Sequence, residues 1–411
     1  MTDANDMSRI SRRTFLKTGA TTAAAASLAL PAFGDGDGAP SKPPAPLPTR
    51  VLGRTGQRVS ILSLGTGRPL QPRMLNAAYD AGIRYLDTAD CYGNGESEKV
   101  IAEWLAANGR RKDFILVTKD HPNTPDEWVT MLDRRLDALK TDYIDLFFIH
   151  GLGGGSRGSG DEMQRDIPKM KEWKTAAEKM KKSGKVRFVG FSTHAEMDLR
   201  IALLNRAAVG GWVDAIMVAT DPKLARDNAE FNQALDACHD AGIGLISMKE
   251  MRGLAGIAKV MPGFKERGLT THQAILHTVW SDERFASICS DMPNLPILME
   301  NATAARNFKP VDAEGADAVL KLYERHARTF CNGCDGSCQR AGRTKASLCD
   351  ITKALSYHDE DGLYDEARRL FASLTPEQRD WHGADLAAAS AACVSNLDFA
   401  TLLKRAEEKL A

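Results

Sequence analysis

The sequence predicts an α/β chain whose body is a closed parallel (β/α)8 TIM barrel, followed by a helical, cysteine-rich C-terminal extension. Three observations carry this reading. Short apolar runs alternate with longer amphipathic segments from Thr49 to Phe308. Eight such strand–helix units need about 250 residues, which that stretch provides. Finally, five of the eight cysteines (Cys331, Cys334, Cys338, Cys349 and Cys393) lie beyond the repeating part. The whole chain has 411 residues, 43% of them apolar, which is long for one average domain but suits one large barrel with an appendix. Its 54 basic and 54 acidic side chains cancel, so the basic footprint of a nucleic-acid binder is lacking. No apolar run approaches the roughly 18 residues of a membrane-spanning helix.

The N-terminus is organised separately. Ser11-Arg12-Arg13-Thr14-Phe15-Leu16-Lys17 precedes a mild Ala/Thr/Leu stretch that ends at Pro31-Ala32-Phe33-Gly34. A positive segment, a short apolar segment and small residues make an export signal. The paired arginines before Phe-Leu-Lys resemble the twin-arginine signal, which is read by a receptor and does not anchor. Residues 1–34 are therefore expected to act as this signal and 35–48 as a Gly/Pro-rich linker. The Tat export machinery is the implied partner and the periplasm the implied location. That route carries folded proteins, so a cofactor can be loaded before export.

The barrel is assigned to 49–310 and the extension to 311–411. Apolar runs at 59–64, 84–87, 114–118, 143–150, 186–192, 213–218, 244–248 and 285–289 suit strands buried on both faces. Between them, Thr124-Pro125-Asp126-Glu127 forms a capping box with proline at the first helical position. Trp128, Leu132, Leu136 and Leu139 then repeat on one helical face. Gly184 and Gly242 fall where helices end. A doubly wound sheet would want G-x-G-x-x-G after its first strand, and Leu64-Gly65-Thr66-Gly67-Arg68-Pro69 does not complete it.

Active sites of such barrels lie at the C-terminal ends of the strands. Asp87 and Tyr92 follow the second strand, Lys119 the third and His150 the fourth. Consecutive parallel strands can bring these four side chains to one mouth. Singly, each has an ordinary explanation: a turn former, a solvated lysine, a satisfied core histidine. Their convergence does not.

At these residues the chain resembles the aldo/keto reductases. Arg50-Val51-Leu52-Gly53-Arg54-Thr55-Gly56 with Val59-Ser60 is similar to that family's opening hairpin. Asp87-Thr88-Ala89-Asp90-Cys91-Tyr92-Gly93 with Glu96 is similar to its signature, and Gly190-Phe191-Ser192 to its fifth strand. The resemblance implies an N-terminal hairpin, a small-molecule carbonyl substrate, and reversible hydride transfer with NADP or NAD. Tyr92 would give a proton to the carbonyl oxygen. Lys119 would lower the Tyr92 pKa, Asp87 would hold Lys119 charged, and His150 would hydrogen-bond the substrate oxygen. Ser192 and Thr193 stand at the family's nicotinamide-amide position, and Glu300-Asn301 at its adenine side. The family's usual Ser-Asn is Ser192-Thr193 here. Met217 occupies its glutamine position. Asp291 stands in its phosphate loop, where a like charge opposes a phosphate.

In the tail, Cys331, Cys334 and Cys338 fall within eight residues. Such spacing suits a metal or a cluster. The segment through Cys349 and Asp350-Ile351-Thr352-Lys353-Ala354-Leu355-Ser356-Tyr357 resembles a branch of exported aldo/keto reductases with a ferredoxin-like [4Fe–4S] segment. The resemblance implies a 4Fe-4S cluster on Cys331, Cys334, Cys338 and Cys349, with Cys393 the other choice for the fourth ligand. It also implies an electron donor or acceptor. The ferredoxin run C-x2-C-x2-C-x3-C-P is absent, and four thiolates suit zinc as well. An oxidising compartment would also permit disulfides. Tyr364 and Trp381 are expected to pack the tail on the barrel. The rival functional reading is an electron-transfer or non-catalytic iron–sulfur protein that keeps the barrel without nicotinamide binding. Thr193, Met217 and Asp291 motivate it.

Overall fold

The computed structural model describes residues 46–153, 162–220, 222–250, 264, 267–325, 331, 336–359, 363–393 and 395–411. The export signal, nearly all of the linker, and Cys334 lie outside the described residues. No helix among the described residues is long and apolar enough to cross a membrane.

Strands β1 (Thr49–Val51) and β2 (Arg58–Ser60) pair antiparallel, Thr49 facing Ser60. Eight further strands are parallel: β3 (Leu62–Gly65), β4 (Tyr85–Asp87), β5 (Ile115–Asp120), β6 (Ile144–Ile149), β7 (Val186–Thr193), β8 (Ala215–Ala219), β9 (Gly244–Met248) and β10 (Phe285–Asp291). They close in sequence order, with β10 returning to β3. Strand β6 is buried along its whole length; its run is apolar except for Asp145, whose buried carboxylate pairs with Arg111 and Arg187.

The first run departs from expectation. It is not one strand but two pieces, β2 and β3, broken at Ile61. There the Ile61 N–H donates to Pro48 O at 3.0 Å and Ser60 Oγ donates to Leu62 O at 2.7 Å. Val59 thereby stays with the hairpin, and Leu62 starts the barrel. The hairpin packs against the barrel interior: Leu52 and Val59 join Tyr85, Val117, Leu146 and Phe148 in one cluster. Gly53 makes this approach possible, since a Cβ there would lie 2.3 Å from Gly242 O.

The outer helices follow their sequence signals. Helix Pro125–Leu139 is capped by Thr124, whose side chain accepts from Glu127 N. Only half of the expected capping box forms: the Glu127 carboxylate accepts from Asn123 N at 2.7 Å, one residue before the cap, in place of Thr124 N. Its buried face is Trp128, Leu132, Leu136 and Leu139. The Trp128 ring meets Phe147, Trp173 and Trp212. Large rings filling the layer between helix and sheet bury 150–250 Å² each, by the usual measure of about that area per aromatic side chain.

The extension forms its own helical core. Helices Leu348–Asp359, Tyr364–Ser373 and Phe399–Leu410 enclose Leu355, Phe371, Phe399 and Leu403 together with Cys331, Cys338, Cys349 and Cys393. The aromatic pair expected to join tail and barrel does something else. Tyr364 is 54% exposed and lies edge-on to His358. Trp381 stacks on His382 and packs against the tail's own core. Contacts that do join extension and barrel include Val319, packed with Ala274 and Ile275, Lys353, which donates to His194 O at 3.3 Å, and Tyr357, whose hydroxyl accepts from Lys249 Nζ at 3.0 Å.

Candidate active site

Neighbouring strand ends bring the four expected residues together. Asp87 ends β4, Lys119 lies near the end of β5, and His150 directly follows β6. Register does the alignment: Asp87 pairs with Val117, and Lys119 with Phe148. Tyr92 opens the short turn Tyr92–Gly95, in which Gly93 (φ 59°) and Asn94 (φ 55°) take left-handed backbone. Glycine and asparagine tolerate that region best, so the turn can fold the phenol back over the mouth.

Lys119 is buried, and Nζ donates to Asp87 Oδ2 at 2.6 Å, Thr88 O at 2.8 Å and Tyr92 OH at 3.4 Å. The Tyr92 and His150 rings lie edge to face, 5.6 Å apart. Burial, reinforced by His121 and Lys119, holds the His150 pKa well below the usual imidazole range, so this ring is neutral. Burial raises Asp87, and the Lys119 charge pulls it partly back.

Tyr92 reverses one expectation. Its pKa lies well above that of an ordinary phenol, raised first by burial and then by the Asp87, Cys91, Cys289 and Asp291 charges. Lys119 does not reverse this effect of burial. Lys119 spends its charge on Asp87 at 2.6 Å and reaches the phenol only at 3.4 Å. The carboxylate beside it therefore outweighs the ammonium. Tyr92 is protonated, the state a proton donor needs.

The other expected contacts divide. Ser192 Oγ accepts from Gly151 N at 3.0 Å, and its hydroxyl proton stays available. Thr193 is buried and closed, donating to Leu152 O at 2.8 Å and accepting from Ala195 N at 3.3 Å. Asn301 Nδ2 donates to Ser290 Oγ at 3.1 Å, and the Glu300 carboxylate accepts from Thr270 at 2.5 Å. Met217 is buried in the barrel interior. Asp291 meets Arg68 Nε at 3.1 Å, so the loop after β3 supplies a cation that offsets the charge opposing a phosphate.

Several polar residues at this rim escaped the sequence reading. Cys91 Sγ lies 3.6 Å from His150 Nδ1, and His121 Nδ1 3.3 Å from Asp90 Oδ1. Buried Glu250 follows β9, its pKa pushed up to about 7 by desolvation. The signal for His121 was present, two places after Lys119 at the same strand end. Arg68 and Glu250 gave none, because their roles arise only from loops meeting in space.

Four cysteines of the tail are buried within one cluster. A hydrogen bond to Cys331, then burial, holds the Cys349 thiol well above its usual range. Cys338 is pushed up to about 12 by burial and then by the Cys331 and Cys393 charges. Cys349 and Cys393 thus both border the same thiol group. Burial alone lowers the Lys353 pKa, but Cys349, Asp350, Glu196 and Cys331 outweigh it and hold the ammonium charged. A buried cation beside several thiols fits an anionic thiolate-bound metal group.

A closed parallel barrel thus carries phenol, ammonium, carboxylate and neutral imidazole together at its C-terminal rim, where barrels of this kind place their active sites. Residues 64–259 match the model of the aldo/keto reductase family. Among curated relatives, an aldo-keto reductase of Fusarium vanettenii is 32% identical over 244 residues, covering 48% of this chain and 62% of that protein. A Schizosaccharomyces pombe aldo-keto reductase, named with NADP(+), is 30% identical over 208 residues, covering 47% and 56%. The chain spans from about half to two thirds of the length of such relatives. Among solved structures, a Klebsiella pneumoniae aldo/keto reductase in complex with NADP and acetate superposes at TM-score 0.51, with 21% identity, covering 68% of this chain and 96% of that one. The Bacillus halodurans holo aldo-keto reductase gives TM-score 0.52 at 22% identity, covering 68% and 99%. These likenesses establish the fold.

Proposed function

We propose that the protein is an exported, periplasmic oxidoreductase that interconverts a carbonyl and an alcohol on a small molecule with NADP or NAD. The observation that carries this is the contact of Lys119 Nζ with both Asp87 Oδ2 and Tyr92 OH at the strand ends. The names of the relatives favour NADP. A bound nicotinamide supplies the hydride. Ser192, with its free hydroxyl proton, fits the amide end, and Asn301 fits the adenine side. Tyr92, neutral and within reach of Lys119, gives its proton to the carbonyl oxygen. Lys119 then meets the phenolate that remains, and Asp87 keeps the ammonium in place. His150, uncharged, donates one hydrogen bond to the same oxygen.

The tail is proposed to bind a 4Fe-4S cluster through Cys331, Cys334, Cys338 and Cys349, with Cys393 alongside. The burial of four thiols around Lys353 supports that donor set. Such a cluster would exchange electrons with a donor or acceptor outside the chain, and the Tat machinery would be the export partner.

One observation favours a second reading. Thr193 is closed on the backbone and cannot take the place of the family's asparagine. On that reading the barrel is an iron–sulfur protein without nicotinamide turnover. NADPH fluorescence quenching separates the two, because only the reductase binds the dinucleotide. In the reductase, Tyr92→Phe abolishes NADPH-dependent reduction of an aromatic aldehyde while circular dichroism stays unchanged. Full activity in that variant removes Tyr92 from its role.

A further inference from the structure

We propose that Asp90, Cys91, His121 and His150 form a binding site for one zinc-class divalent ion at the barrel rim. Three adjacent strands build it. Asp90 and Cys91 follow β4, His121 follows β5, and His150 follows β6. One ligand atom from each residue lies within 4.8 Å of all the others, and all four residues are partly exposed, so an ion can enter.

The distances suit a tetrahedral centre. An ion holding sulfur at about 2.3 Å and nitrogen or oxygen at about 2.0–2.1 Å places S···N about 3.6 Å and N···O about 3.3 Å apart. Cys91 Sγ to His150 Nδ1 is 3.6 Å, and His121 Nδ1 to Asp90 Oδ1 is 3.3 Å. The His121 and His150 rings stand 4.6 Å apart, inclined and not stacked face to face. Thiolate, two imidazoles and a carboxylate are borderline donors that favour zinc over magnesium or calcium. A thiolate and a carboxylate also balance the two positive charges.

The surroundings hold these donors in place. Asp120 Oδ1 accepts from His121 N at 2.8 Å, and Asp120 Oδ2 meets Arg135 Nε at 3.3 Å. Arg135 in turn pairs with Glu98 at 2.8 Å. Lys119, one of the cations acting on His150, is committed to Asp87. An ion on Nδ1 of His150 leaves the ring proton on Nε2. Metal binding therefore fixes one tautomer of the imidazole assigned to the substrate oxygen. Binding itself does not depend on that assignment.

The test is a cobalt(II) titration of the full-length protein, as purified with its tail, without substrate or nicotinamide. Wild type should show thiolate-to-cobalt charge transfer and the visible bands of a tetrahedral site, and zinc should quench them. The difference between wild type and Cys91→Ser cancels any metal taken by the tail cysteines, which both share. That difference should amount to one equivalent, and His121→Ala should lose the same equivalent. His121→Gln serves in its place should the alanine variant fail to fold, with circular dichroism as the check. Folded Cys91→Ser and His121 variants that bind as much cobalt as wild type, with the same spectrum, overturn the proposal. Equal binding would leave Cys91 and His150 as a hydrogen-bonded pair only.

Discussion

Burying the Lys119 ammonium beside the Asp87 carboxylate makes each the condition for the other. Both side chains are at most 2% exposed. Removing one leaves an uncompensated buried charge, at a cost of about 3–5 kcal/mol. Lys119→Met is therefore expected to lower the free energy of unfolding in urea by that amount. The double variant Lys119→Met with Asp87→Leu should recover most of the loss, because an apolar pair of similar volume replaces the ion pair. If single and double variants lose stability equally, the pair is not coupled. A second buried carboxylate behaves differently. Glu98 accepts from Thr118 at 2.6 Å and from Arg135 at 2.8 Å, yet burial, the largest influence, pushes its pKa from 4.5 to about 7. Between pH 4.5 and 7 the folded state then holds a proton that the unfolded state has released, so Glu98 costs stability as pH rises through that window. Relative to Glu98→Gln, the wild type should lose about 3 kcal/mol from pH 4.5 to 7, and nothing further above it. Denaturation curves of both proteins across that range provide the measurement, and a flat difference refutes the assignment. At this scale the sequence was readable where a residue ended a strand. Asp87, Lys119 and His150 sit there, and a parallel barrel sends such positions to one rim. Arg68 was not readable, since its partner Asp291 lies on a strand more than two hundred residues later. Nor was the direction of the Tyr92 shift, which burial of the phenol sets first and the neighbouring Asp87 charge reinforces.

Strands were legible because parallel strands covered by helices on one side and filled on the other need unbroken apolar runs. The hairpin boundary was not, because Val59 and Leu62 are equally apolar and only tertiary placement separates them. What the runs hide is the space allowed at individual positions. Gly190 in β7 pairs with Ala215 of β8, and a Cβ at Gly190 would stand 1.8 Å from Ala215 O and 3.1 Å from the Phe148 ring. The first obstacle is backbone, which cannot turn aside without breaking the ladder. Gly190→Ala is therefore expected to cost at least about 3 kcal/mol, at the upper end of overpacking effects. A thermal melt close to that of wild type would show that β7 and β8 can separate locally. The substitution also displaces Ser192, two residues on, so, where the proposed nicotinamide site holds, any surviving protein should bind dinucleotide less tightly.

The tail and the rim are one mechanical unit through two lysines. Lys353, among the buried cysteines, donates to His194 O in the loop after β7, and Lys249 after β9 donates to the Tyr357 hydroxyl. Lys249 holds φ at 66°, a conformation a lysine adopts only when its surroundings impose it. Glu196, one of the groups that keep Lys353 charged, lies within 4.8 Å of Cys349 and Asp350, judged by ligand atoms. Helix Leu348–Asp359 thus rests on two loops of the same rim that carries Tyr92 and His150, and its inner end is held by thiols. The cysteine spacing announced a metal-type loop, but nothing in the sequence told which barrel loops it would meet. If a cluster organises those thiols, its removal should loosen the loops as well as the tail. Hydrogen exchange of metal-stripped against loaded full-length protein is the measurement. Amides of 348–359 and 194–200 should exchange faster after stripping, while β5 and β6, paired on both sides within the barrel, keep their protection. Unchanged exchange at 194–200 would mean that the Lys353 contact stands without the metal, and that the cluster serves the tail alone.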